Sequence, residues 1–282
     1  MMAIIQQEQP GITPMTEFTT LMAGMVRSGD GWAVSVSDDW LQGRTVYGGM
    51  SAALCMQAAL NEFGEGDAKG LPPLRSAQIA YVGPAAGQLQ LKASVLRKGK
   101  STLFANVDLV GEAGLATRAM FCFGAARESA FKHVAIGAPD LKDPETCPNF
   151  FRNAPASLSF AQHIDGRFVS GSPPFSGSDD PQMSLWLRHK EPGIAPSLVP
   201  LLALADAPPP AASARSKAPS PLSTMTWSID MLTDEITTDD GWWLIHNRAE
   251  QIAVGYSSQA MTLWNRQGTP IMASRQNVAV FG

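Results

Sequence analysis

Twice along this chain an apolar run of helical character is followed by four extended stretches, and that repeated order restricts the fold more than any single motif. In the first half, "GMSAALCMQAALNEF" from Gly49 to Phe63 sets Ala53, Met56, Ala59 and Leu60 on one face. It is nonetheless apolar almost all round, the pattern of a helix buried on most sides. After "GEGDAKGLPP" come "LRSAQIAYVG", "GQLQLKASVLRKGK", "STLFANVDLVGEAG" and "LATRAMFCFGAAR", parted by glycine-bearing or charged turns. In the second half, the strand-like "MSLWLRHK" and the helical "APSLVPLLALADA" pass through the Pro/Ala/Ser-rich "PPPAASARSKAPSP". They lead to "LSTMTWSIDML", "GWWLIHNRAEQIAV", "GYSSQAMTLWNRQG" and "TPIMASRQNVAVFG".

Setting Gly114 on Gly268 places Cys122 on Gln276, and setting Pro73 on Pro221 places Gln78 on Thr226. Few identities survive, so what repeats is element order and turn position, which points to internal duplication. The expected class is α+β: a long helix wrapped by an antiparallel sheet, made twice. Between the halves, Pro139, Pro144, Pro148, Pro155, Pro173, Pro174 and Pro181 interrupt any period, and "IDGRFVSG" reads as a strand opening the second half. These features divide the chain into residues 1–130, a linker over 131–165, and residues 166–282.

Composition narrows the function. Hydrophobic residues make up 45% and charged residues 16% of 282, which fits a globular chain long enough for two domains. A net charge of -4 with scattered Lys and Arg gives no basic field for a phosphate backbone, so nucleic acid is not an expected partner. Cys55, Cys122 and Cys147 are odd in number and lack CxxC spacing, which suits a reducing cytoplasm. The opening "MMAIIQQEQPGITPM" lacks a basic region ahead of a long apolar core, and no window has the ~18 apolar residues of a membrane span.

The first helix is preceded by "RTVYGG", and its two glycines need a reason. Glycine permits close approach of another group to the backbone. Gly48 and Gly49 therefore serve either to let the helix cross tightly over its neighbour or to admit a ligand to the free amides of the first turn. Neither reading is decided by the residues alone.

Three stretches together resemble the double-hotdog acyl-CoA thioesterases of the thioesterase II type. They are "RTVYGGMSAALCMQAA", "LRSAQIAYVGPAAGQLQLKASVLRKGKSTLFANVDLV" and "GYSSQAMTLWNRQGTPIMASRQNVAVF". The resemblance covers most of the chain apart from roughly 130 to 180. It implies two tandem hotdog domains with joined sheets, hydrolysis of a fatty acyl-CoA or related thioester, and no cofactor. It also implies an oxyanion or substrate site at Tyr47, Gly48 and Gly49, and a water-activating trio of Asp, Thr or Ser, and Gln in the second half. Gln276 in "SRQNVAVF" matches the glutamine.

The other two positions depart from the family pattern. Thr226, or Thr224 with a slip of two, stands where the aspartate is expected, and Glu250 or Gln251 where the hydroxyl is expected. Threonine is no general base near neutrality, so the carboxylate must come from elsewhere. Glu250 and Asp206, near the end of "LVPLLALADA", are the two candidates, with Asp230 a weaker third. Single-hotdog thioesterases commonly carry their carboxylate on the central helix, which favours looking at Asp206.

Other chemistries find little support. His133, His163, His189 and His246 share no spacing with Asp or Ser, no GxSxG is present, and no HExxH or Cys/His cluster suggests a metal. Trp186, Trp227, Trp242, Trp243 and Trp264 read as core and sheet-face residues. Two alternatives to hydrolysis stay open: an acyl-thioester binding protein without turnover, and a hotdog hydratase or dehydratase. The segment before Ala52 lacks the histidine that hydratases and dehydratases usually carry. Pairing of two chains into a homodimer is compatible with the plan.

Overall fold

In the computed structural model, residues 15–64, 70–137, 139 and 141–281 are described. The opening segment "MMAIIQQEQPGITPM" lies outside them up to residue 14, as does part of the "GEGDAKGLPP" connection. The first half contains α1 (Phe18–Ala23), β1 (Val26–Ser28), β2 (Gly31–Val36), β3 (Leu41–Gln42), β4 (Thr45–Val46) and α2 (Gly48–Phe63). It continues with β5 (Leu74–Tyr81), β6 (Gly87–Lys98), β7 (Thr102–Gly111) and β8 (Gly114–Gly124). The second half contains β9 (Ile164–Gly171), β10 (Gln182–His189), α3 (Leu198–Ala205), β11 (Leu222–Met231), β12 (Trp243–Ala253), β13 (Tyr256–Asn265) and β14 (Pro270–Val280).

Twelve of these strands form one antiparallel sheet in the order β1-β2-β6-β7-β8-β5-β11-β14-β13-β12-β10-β9. The halves join at its centre, where Trp227 of β11 faces Ile79 of β5 and Ser228 faces Gln78. Period-2 burial shows which face is inside: Leu103, Ala105, Val107 and Leu109 alternate with more exposed residues along β7. The main core gathers α2, α3 and inward residues such as Phe121, Phe123, Trp227 and Ile229. A smaller cluster of Trp186, Trp242, Leu244 and Trp264 with Cys147 and Val169 covers the opposite face of the second half.

Both helices are buried nearly all round, as their composition requires. In α2 the side chains from Met50 to Cys55 are all buried, and every residue of α3 is buried. α3 stops at Asp206, and Pro208, Pro209 and Pro210 follow, which lack the N–H a helix needs to continue. The stretch expected as a linker is partly ordered against both halves. Phe160, from a short 3-10 turn, stacks on Tyr47 at 4.2 Å between ring centroids, and His163 on Trp40 at 3.8 Å.

The duplication is present, but the strand alignment read from the sequence is displaced. A bulge interrupts the β5–β8 register between Leu74 and Ser76, and the β11–β14 register between Thr224 and Thr226. Matching these bulges sets Arg75 on Met225 and Ser76, not Gln78, on Thr226. Phe121, opposite Ala77, then corresponds to Gln276, opposite Trp227. Cys122 faces outward, half-buried beside exposed Met120, whereas Gln276 is buried. A one-residue slip moves a side chain to the other face of a sheet. The displacement comes from the turns: β13 and β14 are joined by a longer turn than the tight one at Gly111 and Gly114, while both hairpins carry a register shift before it.

Candidate active site

At the start of α2 the chain turns from β4 through Tyr47, which has extended backbone angles and makes no side-chain cap. The first amides of the helix are thus left to other partners. The end of α3 lies directly against this turn. A Cβ on Gly49 would stand 2.5 Å from the carbonyl oxygen of Ala203 and 2.7 Å from the Tyr47 ring. A Cβ on Gly48 would stand 2.4 Å from Oδ2 of Asp206 and 3.1 Å from the Tyr81 ring. The two glycines therefore do different work: Gly49 lets two helices touch backbone to backbone, and Gly48 lets the Asp206 carboxylate and the Tyr81 ring pack directly against the helix start.

Asp206 takes the N–H of Gly49 and, at 2.5 Å, the side-chain NH2 of Gln276. Burial disfavours the charged form and pushes the Asp206 carboxyl up to about 7, against the opposing pull of these two donors. A carboxylate poised there suits proton transfer near neutral pH. Tyr47 donates its hydroxyl to the Ala203 carbonyl at 2.8 Å and ties α2 to α3, while Tyr81 donates to the Gly48 carbonyl at 3.1 Å. Burial, with the charge of Asp206 nearby, holds both phenols protonated well above their ordinary range. Gly48, Tyr81 and Asp206 keep partial exposure, whereas Tyr47, Gly49 and Gln276 are buried. The approach from solvent is therefore on the Gly48 and Tyr81 side. A cavity of about 340 Å³ opens instead at the far end of α3, lined by Pro196, Leu201 and Trp243 among others.

Gln276 is itself held. Its Oε1 accepts from Nε2 of Gln259 at 2.7 Å, and Oε1 of Gln259 accepts from the backbone N–H of Ala211 at 2.9 Å. Trp227 Nε1, Ser257 Oγ and Ser274 Oγ, on adjacent inward positions, are buried without a protein partner.

Gly48, Gly49, Tyr47, Asp206 and Gln276 thus come together, and the other sequence candidates do not. Thr226 is exposed and points away, because the bulge before it returns only Trp227 to the inner face. Thr224 is half-buried beside Val278. Glu250 lies on the outer face, where it pairs with Arg275 and is 44% exposed. Gln251 and Asp230 are exposed as well. Gln259 and Tyr81 were not singled out from sequence. Gln259 carries only a weak signal, a glutamine in phase with Met261 and Leu263 on an inward face that also holds Ser257 and Asn265. Tyr81 gave none.

The fold and this helix-to-helix junction define a double hotdog. Residues 36–124 match the family model described as the acyl-CoA thioesterase N-terminal domain, and residues 144–280 the one described as its C-terminal domain. The chain belongs to the acyl-CoA thioesterase family.

No curated protein matches it in sequence. Among solved structures it is similar to a conserved protein of unknown function with hotdog fold from Alicyclobacillus acidocaldarius, at 23% identity and a TM-score of 0.83 over 95% of this chain and 99% of that one. It is similar to a protein assigned as thioesterase II from Thermobifida fusca, at 20% and 0.79 over 96% and 100%. It is also similar to an acyl-CoA thioesterase II from Mycobacterium marinum, at 14% and 0.68 over 93% and 97%. At these identities the structural likenesses speak for the fold alone.

Proposed function

We propose that the chain hydrolyses acyl-CoA thioesters to free acid and CoA where the first turn of α2 meets the end of α3. One observation carries the reading. A partly buried carboxylate, Asp206, is held between the Gln276 amide and the α2 N-terminus. In this scheme Asp206 takes a proton from water as the water oxygen attacks the thioester carbon. The carbonyl oxygen becomes an oxyanion beside the first turn of α2, where unpaired amides and the helix dipole favour negative charge. The C–S bond then breaks, and the departing thiolate takes the proton back from Asp206.

Negative charge thus passes from the carboxylate to the oxyanion while staying next to the same helix end. The Gly49 amide, engaged by Asp206 in the free protein, is released to the oxyanion as the carboxylate is neutralised. Gly48, lacking a Cβ, lets the Asp206 carboxylate and the Tyr81 ring close on the helix start beside the oxyanion position. Gln276 orients the base, and Tyr47 fixes the helix junction rather than touching substrate. The scheme omits Thr226 and Glu250 and needs no hydroxyl partner. CoA release from a panel of acyl-CoAs, followed with a thiol reagent, tests it. Release that depends on Asp206 supports hydrolysis, and binding without release favours a non-catalytic acyl-thioester protein.

A further inference from the structure

We infer that Gln259 is a positioning residue for this site, one that fixes the Gln276 side-chain amide with its NH2, and not its carbonyl, towards Asp206. A side-chain amide can face either way, and its direction is set by its partners. Here the first partner is a backbone N–H, which can only donate. Ala211 N–H points at Gln259, so Oε1 must face it at 2.9 Å. Nε2 of Gln259 is thereby turned towards two acceptors, Oε1 of Gln276 at 2.7 Å and the Met261 sulfur at 3.5 Å. That in turn leaves the Gln276 NH2 for Asp206. Reversing the chain would set the Gln259 NH2 against the Ala211 N–H, two donors facing each other in a buried place.

The anchor lies close to the carboxylate in sequence. Ala211 is separated from Asp206 by Ala207 and three prolines, Pro208 to Pro210, which have restricted φ and no N–H. Asn247 holds this segment through the Pro209 carbonyl at 3.0 Å. The bonds therefore close a ring from Asp206 through Gln276, Gln259 and Ala211 back along a stiff loop. This gives the triple proline a reason: it keeps donor and carboxylate at a set separation.

The consequence concerns the charge state of Asp206. Among the described residues the groups acting on its carboxyl are the Gln276 amide and the Gly49 N–H, with Tyr47 and Tyr81 as the titratable neighbours and no cation. Both tyrosines stay neutral, so the direction of the Gln276 amide is one of only two influences favouring the carboxylate over the acid.

The test is titration of the Asp206 carboxyl carbon by NMR in the full chain labelled with 13C-aspartate, its signal assigned by its loss in Asp206→Asn. In the unmodified chain the Gln276 NH2 resonances should move with the Asp206 titration. Gln259→Leu frees the Gln276 amide and is expected to raise the midpoint by about half to one pH unit. Gln259→Met, similar in length and likewise without an amide to hold Gln276, should raise it by a comparable amount. Gln276 resonances indifferent to the titration, or folded variants with an unchanged midpoint, would overturn the inference. Its kinetic meaning rests on the proposed hydrolysis, but the titration does not involve turnover. A wild-type chain that releases no CoA would sink the proposed function and leave this result to stand or fall alone.

Discussion

The side-chain nitrogen of Gln276 lies 2.5 Å from the carboxylate of Asp206, joining residues 70 positions apart on the last strand and at the end of α3. Both belong to the second half of the chain, yet the space they face is bounded by Gly48 and Tyr81 of the first. The proposed site therefore draws on both halves of the duplicated fold. The equivalent of Gln276 in the first half is Phe121, and α3 begins at Leu198 after Ser197 with no glycine pair. With the proposed function, these particular replacements predict one composite site per chain.

The glycine pair should separate stability from activity. Gly49→Ala drives a methyl into the Ala203 carbonyl and the Tyr47 ring, and is expected to lower stability by about 1–3 kcal/mol, read as a lower urea midpoint. Gly48→Ala meets first the end of the Asp206 side chain. It should cost turnover by at least about tenfold, a barrier change of ~1.4 kcal/mol, with a smaller change in the urea midpoint than Gly49→Ala produces.

Activity should rise with pH. Burial pushes the Asp206 carboxyl up to about 7, and only the ionised form accepts a proton from water, so kcat/KM is expected to reach half its limiting value near pH 7. Stability has the opposite sign. A carboxyl in the unfolded chain titrates near 4, so the folded state holds the proton more tightly. This favourable contribution is complete below about pH 4 and is lost as pH rises through about 7. Urea unfolding at pH 5 and pH 8 should show a larger loss for the wild type than for Asp206→Asn.

Two residues favoured by family pattern alone should be dispensable. Glu250→Gln removes an exposed ion pair with Arg275, and Thr226→Ala alters an exposed position on the outer face. Each is expected to leave turnover within about twofold and stability within about 0.5 kcal/mol of the wild type. A large loss of kcat in either would place the site elsewhere.

Much of this arrangement was legible beforehand. The order of helix and four strands, made twice, came from hydrophobic period and turn residues, which act locally. Asp206 and Gln276 stood out as a carboxylate ending an apolar helix and an amide in an apolar strand. Register is not legible: matching the glycine turns sets Cys122 on Gln276, while the β-bulges that reset the faces leave no plain mark in "LRSAQ" or "STMTW". The family position points to Glu250, and the alternation that turns it outward beside buried Ala249 is broken by a bulge there as well. The role of Gln259 depends on the Ala211 amide, a backbone partner 48 residues away that sequence cannot point to.

The most direct test is the rate of CoA release from acyl-CoA substrates by the wild type and by Asp206→Asn, with the fold of each checked by its urea midpoint. The wild type should release CoA, and the variant should lose about 10²- to 10⁴-fold in kcat, the usual contribution of a positioned base. A folded Asp206→Asn enzyme that keeps wild-type turnover would contradict the assignment of Asp206 as the base.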